Sequence, residues 1–414
     1  MNEDKKQVVT RFPPSPTGLF HVGNARTFLF NYLFTKQNNG QIVFRLEDTD
    51  KERSREEYAK DIIDNLKWLG IEPDFSTSIR QSERGGVYKK YLEKMISEGK
   101  AYFSNEKIVE EGQRDSVIRF KNPNKKIVFN DLIRGDIEFD TTELKDFIIA
   151  KSLEEPIYHL AVVVDDYEMG VSHIIRGDDG ISNTPRQILI QEAIGAPRPI
   201  YAHLPLILAK DKTKLSKRKH GEKVSVTFYR NAGYLPEAIV NFLALIGWNP
   251  GDEREIFSKE ELVKEFSLER IQKSAGIFNV ERLDWYNREY MKKEPLKSLE
   301  IRVADELKID DELFVKKITP IIAERINKYS DIKKLKEEEF SFFFQTPDYE
   351  KELLLWKKEP NLNKTKKHLE EVVKLLSGLS ESEFNPDKIK ETIWNYAEKE
   401  GRGNVLWPMR VALT

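Results

Sequence analysis

The sequence predicts an α/β fold, a parallel sheet covered by helices with a small α+β insert, followed by an all-α C-terminal region. Three observations carry this reading. Strand and helix patterns alternate as far as Gly70, a stretch of short alternating strands lies between about Lys100 and Glu155, and helical spacing takes over after Gly221. Val8 to Phe12 reads as a short strand and Pro13 to Gly18 as a loop. From Val22 to about Gln37, Ala25, Phe28, Leu29, Tyr32 and Leu33 recur at helical spacing. Ile42 to Leu46 is too short and too β-branched for a helix. Ser54 followed by Glu57 forms a capping-box pattern ahead of a helix that Gly70 ends. This β-α-β-α order is the signature of a parallel sheet. Tyr158 to Val164 and Val171 to Ile175 read as further strands. Asn183-Thr-Pro185 opens a helix, with proline in the first turn where its missing N–H is harmless, and Gly195 closes it.

In the insert, Val117 to Phe120, Ile127 to Phe129 and Ile137 to Phe139 read as strands. Later, Pro236 to Ile246 is a helix ending at Gly247, and Ser258 with Glu261 makes a second capping box. Beyond about Leu299 the chain is Lys/Glu-rich and helical in period. Pro320, Pro347, Pro360 and Pro386 break the pattern, so a bundle of short helices is expected rather than a coiled coil.

With 414 residues, two to four domains are expected. No apolar run approaches the roughly 18 residues that span a bilayer, and the polar start Met1-Asn-Glu-Asp-Lys-Lys6 does not resemble a secretory signal. A cytoplasmic protein with no membrane partner is expected. Cysteine is absent, which excludes disulfides and thiolate zinc sites. The net charge of −2 means that any nucleic-acid surface must be local. Lys210 to Lys223, with seven Lys/Arg against Asp211 and Glu222, is the candidate, and a solvated basic face is its plain alternative.

Two runs carry the chemistry. In Arg11-Phe-Pro-Pro-Ser-Pro-Thr-Gly-Leu-Phe-His-Val-Gly-Asn24, a strand turns into a helix through a glycine, presenting backbone N–H groups and the positive helix end to an anion. Gly23 lets a nucleotide approach the backbone, and His21 can donate to a phosphate oxygen without a permanent charge. A lone His-x-Gly is weak evidence; Pro14-Ser-Pro-Thr-Gly18 just ahead of it makes the string specific. In Lys214-Leu-Ser-Lys-Arg218, cations flank a hydroxyl. Phosphoryl chemistry on ATP is mostly positioning and charge stabilisation, and a loop of this kind can close over a triphosphate. Together the runs read as two walls of one ATP site, with His21 and Lys217 on opposite sides of the triphosphate.

On these residues the chain resembles the class I aminoacyl-tRNA synthetases, and within them the bacterial-type glutamyl enzymes. His21-Val-Gly-Asn24 is similar to that class's His-Ile-Gly-His signature, with Asn24 replacing the last His, and Lys214-Leu-Ser-Lys-Arg218 to its Lys-Met-Ser-Lys-Ser signature. Arg45-Leu-Glu-Asp-Thr-Asp50, Ala161-Val-Val-Val-Asp-Asp166, Ile175-Arg-Gly-Asp-Asp179, Ser182-Asn-Thr-Pro-Arg186 and Gly403-Asn-Val-Leu-Trp-Pro408 extend the resemblance over nearly the whole chain. It implies a Rossmann-type catalytic domain in two halves, 1–99 and 158–222. It also implies an acceptor-end-binding insert at 100–157, a helical stem-contact region at 223–300 and an all-α anticodon-binding region at 301–414. The last is expected to be truncated or unusually short, since the chain stops at Thr414 inside a helical pattern.

The implied activity is ligation of L-glutamate to tRNA-Glu through a glutamyl-adenylate, with tRNA usually needed even for the first step. ATP with Mg2+ enters as substrate, the metal held by phosphates and water, so no protein metal ligand and no zinc is expected. The resemblance assigns His21, Gly23, Asn24, Lys214 and Lys217 to catalysis. It assigns ATP to His21, Gly23, Lys214, Ser216, Lys217 and Arg218, and glutamate to Arg11, Ser15, Glu47, Tyr158 and Arg176. The last set suits a substrate with two carboxylates and an ammonium: arginines read carboxylates, and Glu47 can take the ammonium. Singly, each of these residues has a plain reading as surface or core. Glutaminyl relatives typically carry Glu and Asn at positions 15 and 17, where this chain has Ser15 and Thr17. A form that also charges tRNA-Gln stays open, and a monomer is the default. A shortened relative acting on tRNA-Asp fits poorly with the helical tail, and a non-catalytic relative would be expected to lose the ATP residues kept here. Two further departures stand out: the stretch from Tyr102 to Ile118 is short, and Gly180 occupies a position where His is common. Trp394, Tyr396 and Trp407 read equally as core or as base-stacking platforms.

Overall fold

The computed structural model describes residues 7–106, 116–357 and 361–414. The expectations for Met1–Lys6, for part of the shortened stretch after Tyr102 and for Pro360 lie outside the described residues. The chain divides into two compact units, Met1–Glu294 and Pro295–Thr414.

The first unit begins with β1 (Val9–Phe12), α1 (Val22–Gln37), β2 (Gln41–Leu46), α2 (Glu56–Trp68), β3 (Ile79–Arg80) and α3 (Gly85–Ser97). β1, β2 and β3 form a parallel sheet in that order, with Val9 opposite Gln41 and Arg45 opposite Ile79. Helix α1 lies on it, burying Ala25, Phe28, Leu29 and Leu33 against Phe12 and Phe44. Gly70, at φ +64°, takes the left-handed turn that follows α2. The expected capping box at Ser54 is absent: α2 starts at Glu56, its N-cap Arg55 makes no side-chain bond, and the Ser54 hydroxyl is buried without a partner. Glu56 and Glu57 in the first turn supply the favourable dipole interaction instead.

The segment that follows contributes β4 (Ala101–Asn105), β5 (Ser116–Phe120), β6 (Lys126–Asp131), β7 (Gly135–Asp140), β8 (Phe147–Ser152) and β9 (Glu155–Pro156). β4, β5, β8 and β9 form their own antiparallel sheet, whereas the β6–β7 hairpin joins a different one. After α4 (Tyr158–Glu168) come β10 (His173–Gly177), α5 (Thr184–Ile194), β11 (Ile200–Leu204) and β12 (Ile207–Leu208). β10 and β11 are parallel, and β11 pairs with β6 in parallel at Tyr201 and Asp131. Ile127 and Phe129 of the hairpin therefore share a core with Ile174, Ile188 and Tyr201.

Tyr158 to Val164 is helix α4, not a strand. Leu160 to Val164 are buried on every side, and a short, uniformly apolar run has no period to distinguish the two. The opening of α5 at Thr184-Pro185 and its closure by left-handed Gly195 (φ +78°) are as expected. The unit ends with α6 (Lys217–His220), α7 (Val226–Asn231), α8 (Pro236–Ala244), α9 (Lys259–Glu265), β13 (Gly276–Ile277) and α10 (Val280–Met291). Ser258 and Glu261 form the reciprocal capping box of α9. β13 pairs in parallel with β12, which ties this helical stretch back to the sheet region.

The second unit is helical: α11 (Leu296–Leu307), α12 (Glu312–Ala323), α13 (Asp331–Glu338), α14 (Leu362–Leu376), α15 (Pro386–Glu400) and α16 (Arg402–Leu413). Val372, Ile393, Ala397 and Val405 make the core of its last three helices. Pro386 opens α15, but Pro320 lies inside α12, where the helix continues past it.

Candidate active site

β1 and β10 belong to opposite halves of the sheet region and meet edge to edge. The Ser172 N–H donates to the Val9 carbonyl at 2.9 Å, and the Val9 N–H to Ser172 Oγ at 2.8 Å. Their carboxyl ends open on one cleft of about 700 Å3, where ligands bind in open parallel sheets. Arg11, Ser15, His21, Gly23, Asn24, Glu47, Tyr158, Arg176, Lys214, Ser216 and Lys217 all line it. Arg218 does not; it is exposed on α6.

At one end, His21 caps α1. The Gly23 N–H donates to His21 Nδ1 at 2.9 Å, so Nδ1 is the acceptor and a neutral ring carries its proton on Nε2. Burial first, then Lys214 and His220, lower the His21 pKa to about 4. The ring thus stays an uncharged donor near neutral pH. A Cβ on Gly23 would come within 3.1 Å of His21 Nδ1, so this position favours glycine. Across the cleft, Lys214 Nζ stands 3.6 Å from Asp179 with its side chain 59% exposed. The Ser216 N–H meets His220 Nδ1 at 3.2 Å, and Lys217 is exposed.

The other end is buried. Arg45 has no solvent exposure and bonds Asp166 at 2.9 Å and Glu47 at 3.0 Å. Arg11 reaches Asp166 at 3.4 Å and the Ile175 carbonyl at 3.4 Å. Burial pushes the Glu47 carboxyl up from its ordinary value, and Arg45 opposes this. The neighbouring Asp165, fully buried, lies 3.7 Å from Arg45 Nε and is held by Gln81, Arg84 and Tyr88. Arg176 donates Nε to His203 Nε2 at 3.1 Å and Nη2 to the Gly180 carbonyl (3.0 Å) and Thr184 Oγ1 (2.8 Å). Its Nη1 is buried without a partner.

Gly180 has a reason in this arrangement: a Cβ there would lie 2.4 Å from Arg176 Nε. Sequence reasoning quoted Arg45, Asp166 and Gly180 without roles and did not single out Arg26, Asp131 or His203. Arg26 lines the cleft, bonds the carbonyls of Pro205 and Ile246, and keeps an unpartnered buried Nε. One signal was available: a charged Arg45 between Phe44 and Leu46 in an otherwise apolar strand needs a buried partner.

In the second unit, Trp394 lies beneath Arg402 and Lys390, Tyr396 Oη meets His368 Nδ1 at 2.8 Å, and Trp407 packs on Trp356. Among the described residues, no three His, Asp or Glu side chains are grouped to hold a metal, and no helix is long and apolar enough to cross a membrane.

The sequence matches the family "tRNA synthetases class I (E and Q), catalytic domain" over residues 7–111 and 103–285, and "Anticodon binding domain" over 278–414. It is similar to glutamate–tRNA ligase 1 of Petrotoga mobilis, with 41% identity over 97% of this chain and 90% of that protein. It is 48% identical to glutamate–tRNA ligase of Aquifex aeolicus over 69% of this chain and 67% of that protein. The fold is similar to the crystal structure of a glutamate tRNA ligase from Elizabethkingia meningosepticum in complex with its amino acid. That likeness has a TM-score of 0.85 and 31% identity, and covers 99% of this chain and 94% of the other. With motifs, fold and near-full-length similarity in agreement, this chain belongs to the glutamate–tRNA ligase family of class I aminoacyl-tRNA synthetases.

Proposed function

We propose that this protein joins L-glutamate to the 3' end of tRNA-Glu in two steps. The α-carboxylate of glutamate attacks the α-phosphorus of Mg-ATP and pyrophosphate leaves. A hydroxyl of the terminal ribose of the tRNA then attacks the carbonyl carbon of the glutamyl-adenylate, and AMP leaves. Arg11 and Arg176 bind the substrate's carboxylates, Glu47 accepts from its ammonium, and Ser15 and Tyr158 close the pocket beside them. The neutral Nε2–H of His21 and the N-terminus of α1 donate to phosphate oxygens. Lys214 and Lys217 stabilise the charge that builds on the departing pyrophosphate, supported by Ser216 and, from outside the cleft, Arg218. No side chain acts as a covalent nucleophile. The insert at 100–157 meets the acceptor end, and the helices of 301–414 meet the anticodon.

The observation that carries this reading is that eleven residues expected to serve catalysis, ATP or glutamate line a single cleft. Charging assays with labelled glutamate, ATP and either tRNA-Glu or tRNA-Gln test it. Glutamylation of tRNA-Glu is expected, with pyrophosphate exchange that depends on added tRNA. Failure to form glutamyl-tRNA from ATP and glutamate would sink the reading, and charging of both tRNAs would assign the broader form.

A further inference from the structure

A line of buried polar groups runs from the insert hairpin to the glutamate pocket. Asp131, the last residue of β6, accepts the N–H groups of Ile133 (3.0 Å) and Arg134 (2.9 Å) at Oδ1. Its Oδ2 lies 2.6 Å from His203 Nδ1 and 3.1 Å from the His203 N–H. His203 Nε2 in turn meets Arg176 Nε at 3.1 Å and, at 3.3 Å, Thr184 Oγ1, whose hydroxyl lies 3.1 Å from the Gly180 carbonyl. Asp131 and His203 are essentially inaccessible to solvent, and neither lines the cleft.

The partners fix the proton positions. A carboxylate can only accept, so His203 Nδ1 carries the hydrogen, and Arg176 Nε–H can only donate, so Nε2 offers its lone pair. Burial lowers the His203 pKa overall, against the pull of Asp131, which keeps the ring neutral as this pattern requires. Arg176 is therefore held at Nε by His203 and at Nη2 by Gly180 and Thr184, with only Nη1 uncommitted.

We propose that Asp131 and His203 are positioning residues for amino-acid binding: Asp131 selects the His203 tautomer, and that tautomer orients Arg176 so that Nη1 faces the substrate carboxylate. The proposal rests on the assignment of Arg176 to glutamate made above. It makes a residue of the insert a determinant of glutamate affinity, although it touches no substrate.

Asp131→Asn is the sharpest test. Its side-chain oxygen can still cap Ile133 and Arg134, but its NH2 group now faces His203 Nδ1. His203 must then move its proton to Nε2, against the Nε–H of Arg176. The KM for glutamate is expected to rise by roughly tenfold or more, the scale of a lost bond to a charged group. The KM for ATP and the kcat should stay within about threefold, because those steps use other residues. Nitrogen NMR of labelled histidine should show Nδ1 protonated in the wild type and Nε2 protonated in the variant. His203→Gln and His203→Asn supply a second arm should Asp131→Asn fail to fold. Gln places an acceptor near the Nε2 position and should keep glutamate affinity, whereas Asn reaches only Asp131 and should lose it. An unchanged tautomer in Asp131→Asn, an unchanged glutamate KM, or equal effects of Gln and Asn would overturn the relay. A wild type unable to charge tRNA-Glu would overturn the function itself, a separate result.

Discussion

The two ends of the cleft are built on opposite principles. At the end proposed for glutamate, Arg11, Arg45, Glu47, Asp166 and Arg176 are each at most 8% exposed; the first four are locked by mutual bonds and Arg176 by His203, Gly180 and Thr184. At the end proposed for phosphate, Lys214, Lys217 and Arg218 are exposed, and Lys214 Nζ stands 3.6 Å from Asp179. The contrast follows from what each end must do. An amino acid is discriminated by fixed, desolvated partners that cannot relax around a wrong substrate. A triphosphate that binds, loses pyrophosphate and departs is better served by cations that are solvated at rest and engage only when charge develops.

This difference predicts where substitutions do harm. The largest effect is expected at the soft end, on rate alone. Lys217→Ala should slow ATP–pyrophosphate exchange by about two to three orders of magnitude, the scale of losing one charge-stabilising donor, with an unchanged melting temperature. Exchange near the wild-type rate would remove that loop from the chemistry. Next comes the hard end, on stability. Arg45→Met leaves Glu47 and Asp166 buried without their main cation, which should cost about 3–5 kcal/mol in urea unfolding. Lys214→Ala should cost less than about 0.5 kcal/mol, as exposed substitutions do. Equal losses in the two variants would erase the contrast.

A third, smaller effect isolates specificity from folding. Gly180→Ala places a Cβ where Arg176 Nε lies, so the guanidinium must shift. The glutamate KM should rise roughly tenfold with the ATP KM unchanged, as one bond to a charged group is lost; an unaffected glutamate KM would mean Arg176 is not the reader. The smallest effect concerns pH. The folded-state pKa of His21, about 4, lies below the ordinary 6.5. The unfolded chain therefore takes up the proton first as pH falls. His21's contribution to stability is complete above about pH 6.5 and is lost progressively toward pH 4. An NMR titration placing His21 near 6.5 in the folded protein would contradict this.

How much was legible beforehand follows the same divide. The phosphate end was readable because its chemistry is local: His21-Val-Gly23 and Lys214-Leu-Ser-Lys217 are contiguous strings. Helix α1 was legible as well: Ala25, Phe28, Leu29, Tyr32 and Leu33 fit helical spacing over 16 residues, too long for a typical strand, although Phe30, Asn31 and Thr35 are buried too. The glutamate end was only half readable. Arg11, Glu47 and Arg176 could be named, but what holds them is assembled from residues far apart in sequence. Arg45 bonds Asp166 across 121 positions, and His203 bonds Asp131 across 72. Helix α4 was misread as a strand because burial on all faces erased its period. The partition of the insert's strands was not legible for a related reason: they look alike in sequence, yet β6 pairs with β11 while β5 pairs with β8.

The convergence of two walls on one substrate pair is tested most directly by a crystal structure with a non-hydrolysable glutamyl-adenylate analogue. The phosphate mimic is expected between His21 Nε2 and Lys217 Nζ, and the two glutamyl ends against Arg11, Glu47 and Arg176. An analogue bound elsewhere, or seated with its glutamyl group at the lysine loop, would contradict the account.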